Sequence, residues 1–140
     1  MQKARRIDYS DISEGDSYTF KRTLTERDVL DFARLSGDFN PLHIDKGFAK
    51  KNRFKANLAH GMLAGSLFST LVGMHCPGEK CLYLSQSLYF KSPIFPDDAL
   101  TVKGTVTGKN DSIRLVTLRT EILKGGRVAV EGEAKVKVME

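Results

Sequence analysis

A chain of 140 residues with a net charge of +5 is long enough to bury a core as one domain, residues 1–140. Hydrophobic residues at 41% and charged residues at 28% are ordinary for a globular protein, which excludes a fibrous or disordered chain. The basic residues are scattered and match no nucleic-acid motif, so no nucleic-acid partner is expected.

Met1 to Ser10 carries Lys3, Arg5 and Arg6 with no apolar run behind them, so it does not read as a secretory signal, and a cytoplasmic protein is expected. Ser17 to Leu24 alternates as a strand, with Tyr18 and Phe20 on one face. Thr25-Glu26-Arg27-Asp28 is a near capping box, with Asp where Glu or Gln is usual. The helix it opens carries Val29, Phe32, Ala33 and Ser36 on one side and stops at Gly37. Asp45 to Asn52 predicts a short helix with Phe48 inward.

From Ala56 to Gly78 there is no Asp, Glu, Lys or Arg. Asn57, His60, Ser66, Ser69, Thr70 and His75 interrupt that stretch and Pro77 ends it, so it predicts a buried core helix over Gly61–Met74 rather than a membrane span. Beyond Pro77 the period changes to two. Cys81 to Lys91 reads as one strand with Leu82, Leu84, Leu88 and Phe90 in register. Leu100 to Val106 is the next, with a turn at Gly108–Asp111. Ile113 to Leu123 and Val128 to Val138 follow, joined by Gly125-Gly126. The sum is α+β: a curved antiparallel sheet wrapping the buried helix. Cys76 and Cys81 fit no zinc spacing, and no phosphate-cradling glycine loop is present, so neither metal nor cofactor is expected.

Two segments carry chemistry. In Gly37-Asp38-Phe39-Asn40-Pro41-Leu42-His43 a carboxylate and an imidazole stand five positions apart in a turn. Gly37 permits a positive φ, Asn40 can bond its own backbone, and Pro41 forces Asn40 out of the helical region. Asp and His are the usual pair for proton transfer at neutral pH, although Asp and Asn are also common turn residues and a lone His is more often structural. The second segment is Ala59-His60-Gly61-Met62-Leu63, at the start of the buried helix, where amides are unpaired and the dipole is positive. His60 is expected to bond the local backbone. His75, at the helix end, suits the dipole as an imidazolium.

With these two motifs, Tyr83-Leu84-Ser85-Gln86-Ser87-Leu88-Tyr89-Phe90-Lys91 and the Pro93…Asp97 loop, the chain resembles the MaoC-like family of hot-dog-fold proteins. It is most similar to the (R)-specific enoyl-CoA hydratases, from about Tyr18 to Val138. One departure is Lys55-Ala56-Asn57-Leu58, where family members often carry Pro before the His-Gly pair. The resemblance implies addition of water to a trans-2-enoyl thioester, giving an (R)-3-hydroxyacyl product, with no cofactor. It implies Asp38 and His43 as the acid/base pair, Gly61 as donor to the thioester oxygen, and Asn40 and Ser69 in support. Leu42 and Val72 are expected to be core residues that also line an acyl tunnel, and Lys91 or the Lys50–Lys55 cluster either to meet coenzyme A phosphates or to form a solvated face. A homodimer with a continuous sheet is expected. An acyl-CoA thioesterase, a 3-hydroxyacyl-acyl-carrier-protein dehydratase and a non-catalytic acyl-CoA-binding module remain alternatives.

Overall fold

The structure is a computed structural model that describes residues 1–140. The strands are β1 (Ser17–Arg22), β2 (Cys81–Gln86), β3 (Tyr89–Phe90), β4 (Leu100–Asn110), β5 (Leu115–Lys124) and β6 (Arg127–Val138). The helices are α1 (Glu26–Ser36), α2 (Pro41–Ile44), α3 (Lys46–Lys51), α4 (Gly61–Gly65) and α5 (Leu67–Thr70), and a π-helical turn over Leu71–His75 continues α5. One antiparallel sheet runs β1-β4-β5-β6-β2, with β3 pairing β6 beyond β2. The α4–α5–π segment packs on this sheet, so the expected arrangement of sheet around helix is present.

Two packed groups make the core. Phe68 and Leu71 meet Val102, Ile122 and Val130 in one, and Val72 and Cys76 meet Val106, Val116 and Val136 in the other. A fully buried side chain of this size contributes about 1.5–3 kcal/mol. Glycines set the spacing where helix and sheet approach: a Cβ at Gly104 would stand 2.8 Å from Leu71 Cδ2. At Gly132 a Cβ would fall 1.8 Å from the Ser87 carbonyl oxygen. That close approach, with Ser87 N–H bonded to Glu133 O at 3.0 Å, marks where the expected single strand breaks into β2 and β3.

Several expectations need correction. The helix over Gly61–Met74 is not buried all round: Met62, Ser66 and Ser69 are exposed, and it is divided at Ser66 and at Leu71. Leu82 and Leu84, 46% and 54% exposed, point away from the protomer's own core, while Cys81 and Tyr83 pack inward. Phe48 is exposed and Ala49 is the buried residue of α3. The turn expected at Gly108–Asp111 lies further on, because β4 runs to Asn110 through a register shift between Val106 and Gly108. The hairpin at Gly125-Gly126 is present, with φ of 58° and 75° as a primed turn requires.

The capping box is complete. Asp28 N–H donates to Thr25 Oγ1 at 3.1 Å, and Thr25 N–H to Asp28 Oδ2 at 2.9 Å. The bond from the Thr25 backbone holds the Asp28 carboxyl below its usual range. A depressed folded-state pKa adds stability above the unfolded value, and that stability is lost as pH falls through the folded one. Asp28→Ala should therefore lower Tm near pH ~7 but have a shrinking effect in acid below the ordinary carboxylate range. Thermal melts of both proteins across pH check this, and a pH-independent gap would contradict it.

Candidate active site

The segment that carries Asp38 is built from turn chemistry. Gly37 ends α1 in the left-handed region at φ 80°, and its N–H bonds Ala33 O at 2.8 Å. Asp38 Oδ1 accepts from Asn40 N–H at 3.1 Å, and Asn40 Oδ1 accepts from Leu42 N–H at 3.0 Å. Asn40 is thus the N-cap of α2, with Pro41 in its first turn. None of the four residues of α2 is buried, so the core does not hold this segment.

A second segment, residues 57–60, does. Leu42 O accepts from Leu58 N–H and from Asn57 Nδ2–H, both at 3.1 Å. His43 Nδ1 lies 2.8 Å from Leu58 O, and His60 Nε2 lies 3.0 Å from Asp38 O. A carbonyl only accepts, so each of these ring nitrogens carries its proton, and Nε2 is the His43 nitrogen left without a bond. The second segment is fixed in turn by Ala59 N–H to Ile94 O at 2.8 Å, and both of those residues are buried.

Asp38, His43 and His60 come together so closely that one ligating atom from each lies within 4.8 Å of the others. They line a cavity of about 430 Å³ with Gly61, Phe90 and Lys91. Gly61 opens α4. The first intrahelical bond runs from Ala64 N–H to His60 O, so the amides before it, from Gly61 on, have no preceding turn to bond. The glycine is also sterically required, since a Cβ would meet the Phe90 ring at 2.9 Å. A larger cavity of about 600 Å³ lies across α1, between Phe32, Leu35 and Leu67, and contains neither Asp38 nor His43.

Not every expected residue joins the site. Ser69 is exposed and makes no bond to Asp38. Val72 is fully buried against Val106 and Val116 and lines no part of the cavity, and Leu42 offers it only a structural carbonyl. Lys91 stands at the wall, paired to Glu131 at 3.1 Å. The expected local bond of His60 is instead a contact with Asp38, 22 residues away. His75, expected as an imidazolium at the helix end, stacks on Phe20 at 4.8 Å, and burial lowers its pKa, which disfavours the charged form.

An antiparallel sheet packed on a central helix is the architecture of the hot-dog fold, and Asp38 and His43 meet at one cavity of it. A family model described as "MaoC like domain" matches residues 11–126. The (R)-specific enoyl-CoA hydratase of Rhodospirillum rubrum is 41% identical over 130 residues, 93% of this chain and 90% of that protein. The solved (R)-hydratase from A. caviae involved in PHA biosynthesis superimposes with a TM-score of 0.87 at 42% identity, covering 91% of this chain and 97% of that one. R-hydratase PhaJ1 from Pseudomonas aeruginosa gives a TM-score of 0.91 at 34% identity, covering 98% and 88%. The chain belongs to the MaoC-like domain family.

Proposed function

We propose that this protein is an (R)-specific enoyl-CoA hydratase, a hydro-lyase that adds water reversibly to trans-2-enoyl-CoA. The observation that carries the reading is the convergence of Asp38 and His43 within 4.8 Å on one cavity beside the free amide of Gly61.

Asp38 and His43 form the acid/base pair. With Nδ1–H committed to Leu58 O, His43 can exchange a proton only through Nε2. As a bound water attacks C3, one group takes a proton from it while a proton passes from the pair to C2, so the pair ends the cycle with the number of protons it began with. The reverse reaction exchanges the two roles. Charge building on the thioester oxygen is met by the Gly61 N–H at the positive end of α4. Asn40 shapes the turn. Lys91, at the cavity wall, faces the phosphates of coenzyme A. The (R)-3-hydroxyacyl thioester formed suits polyester supply, in line with the (R)-hydratase from A. caviae involved in PHA biosynthesis.

The chain acts as a homodimer. β2 ends the sheet with one edge unpaired, and its Leu82 and Leu84 are exposed, as is Met62 of α4 at 60%. An apolar open edge calls for a partner, and a two-fold axis lets the same edge cover itself. Two free thiols and the lack of any helix long and apolar enough to cross a membrane fit a cytoplasmic setting.

Loss of the conjugated absorbance of crotonyl-CoA, with (R)-3-hydroxybutyryl-CoA as product, tests the reaction. Thiol release without hydration would favour a thioesterase instead. Asp38→Asn and His43→Ala should each reduce kcat by at least ~10²-fold with the fold intact by circular dichroism. Near-normal turnover in either removes that residue from the chemistry. Light scattering at micromolar concentration should give a dimer mass, and a monomer would refute the shared edge.

A further inference from the structure

The proton-transfer pair does not use His60, yet His60 is the most buried ionisable side chain at the site, at 2% exposure. Its backbone begins α4 as the N-cap, with its carbonyl accepting from Ala64 N–H at 3.1 Å. Its ring is held between two others. The edge of Phe32, from α1, lies 4.9 Å away at 62°, and the His43 ring stacks on it at 3.8 Å and 27°. Asp38, by contrast, is exposed.

The hydrogen bonding of this ring is lopsided. Nε2–H donates to the Asp38 carbonyl at 3.0 Å, while Nδ1 is buried with no partner. An unpaired buried acceptor destabilises a fold, and an apolar ring of similar size would fill the same space without it. Packing therefore does not account for an imidazole here, and the one thing it adds is the Nε2–H bond. That bond reaches the main chain of Asp38, so neither carboxylate oxygen is taken from the reaction. One ring thus fixes the backbone of one proton-transfer residue and the plane of the other.

We propose that His60 is a positioning residue for hydration: its Nε2–H, donated to the Asp38 carbonyl, sets the Asp38 carboxylate against the His43 ring stacked on it. This rests on the hydratase reading above. Misplacing a catalytic group by about an ångström can cost ~10²-fold in rate, so the effect belongs in kcat. Substrate binding through Gly61 and the cavity wall is unaffected.

Two substitutions separate the bond from the ring. His60→Phe keeps an aromatic ring and removes both the donor and the orphan nitrogen. His60→Gln places an amide N–H near the former Nε2 and gives up the stack. With crotonyl-CoA, His60→Phe should lower kcat at least ~10-fold and leave KM within about twofold, while Tm stays equal or rises. His60→Gln should recover most of the lost kcat. A residue that merely supports the fold would give the opposite pattern, with Tm and activity falling together. Wild-type kcat in His60→Phe, or Gln no better than Phe, overturns the proposal. Nitrogen-15 NMR of the wild-type imidazoles reads the bond without any assay: the proton should sit on Nε2 of His60, and a proton on Nδ1 overturns it. If the wild type hydrates no enoyl thioester, the hydratase reading fails, and the tautomer still decides the positioning bond.

Discussion

The site depends on four hydrogen bonds between two short segments. Residues 38–43 lie on the surface, and residues 57–60 tie them down through Leu58 N–H and Asn57 Nδ2–H to Leu42 O, His43 Nδ1–H to Leu58 O, and His60 Nε2–H to Asp38 O. Each such bond is worth about 1 kcal/mol net, so together they supply roughly 4 kcal/mol of local order. A hundredfold loss of rate from misplacement corresponds to about 2.8 kcal/mol. Four such bonds exceed that figure and one or two fall short of it, in a segment none of whose residues is fully buried. The second segment transmits rigidity from the core, because Ala59 is bonded to buried Ile94 and Gly61 opens the central helix.

The same central helix links the cavity to the sheet. Gly61 lies under the Phe90 ring and Gly65 under Leu88, each close enough that a Cβ would meet carbon at about 3 Å. Phe90 and Leu88 are placed by the break at Ser87, which Gly132 accommodates on β6. The cavity wall is thus set by a chain of close approaches from β6 through β3 to α4. Three glycines make those approaches, and an alanine at any one would push the wall outward.

The sequence made α1 and its cap legible because local hydrogen bonding and a 3.6-residue period act within a dozen residues. Asp38, His43 and Gly61 were legible for a related reason: Gly37, Asn40 and Pro41 state the backbone shape, and a His-Gly pair opens an apolar run. Long-range geometry was less readable. Leu82 and Leu84 alternate as an inward face would, and periodicity alone does not distinguish a protomer's own core from an open edge. The break at Ser66 follows Gly65, a glycine–serine pair that can kink a helix, whereas the one at Leu71 has no breaker residue beside it. Phe48 is apolar but lies on the outer side of a two-turn helix. The bond of His60 spans 22 residues, so only the tertiary structure reveals it. Ser69 and Val72, named by resemblance, lie outside the cavity of a single protomer.

The most direct test of the account is the facial course of addition. In the proposed mechanism Asp38 and His43 share one water on one side of the enoyl plane, so oxygen and proton are expected on the same face. Hydration of crotonyl-CoA in deuterium oxide should place one deuterium at C2, on the face that receives the hydroxyl at C3, in a single diastereomer readable by proton NMR. Deuterium on the opposite face, or a mixture of both, would contradict a shared water and with it the joint role of Asp38 and His43.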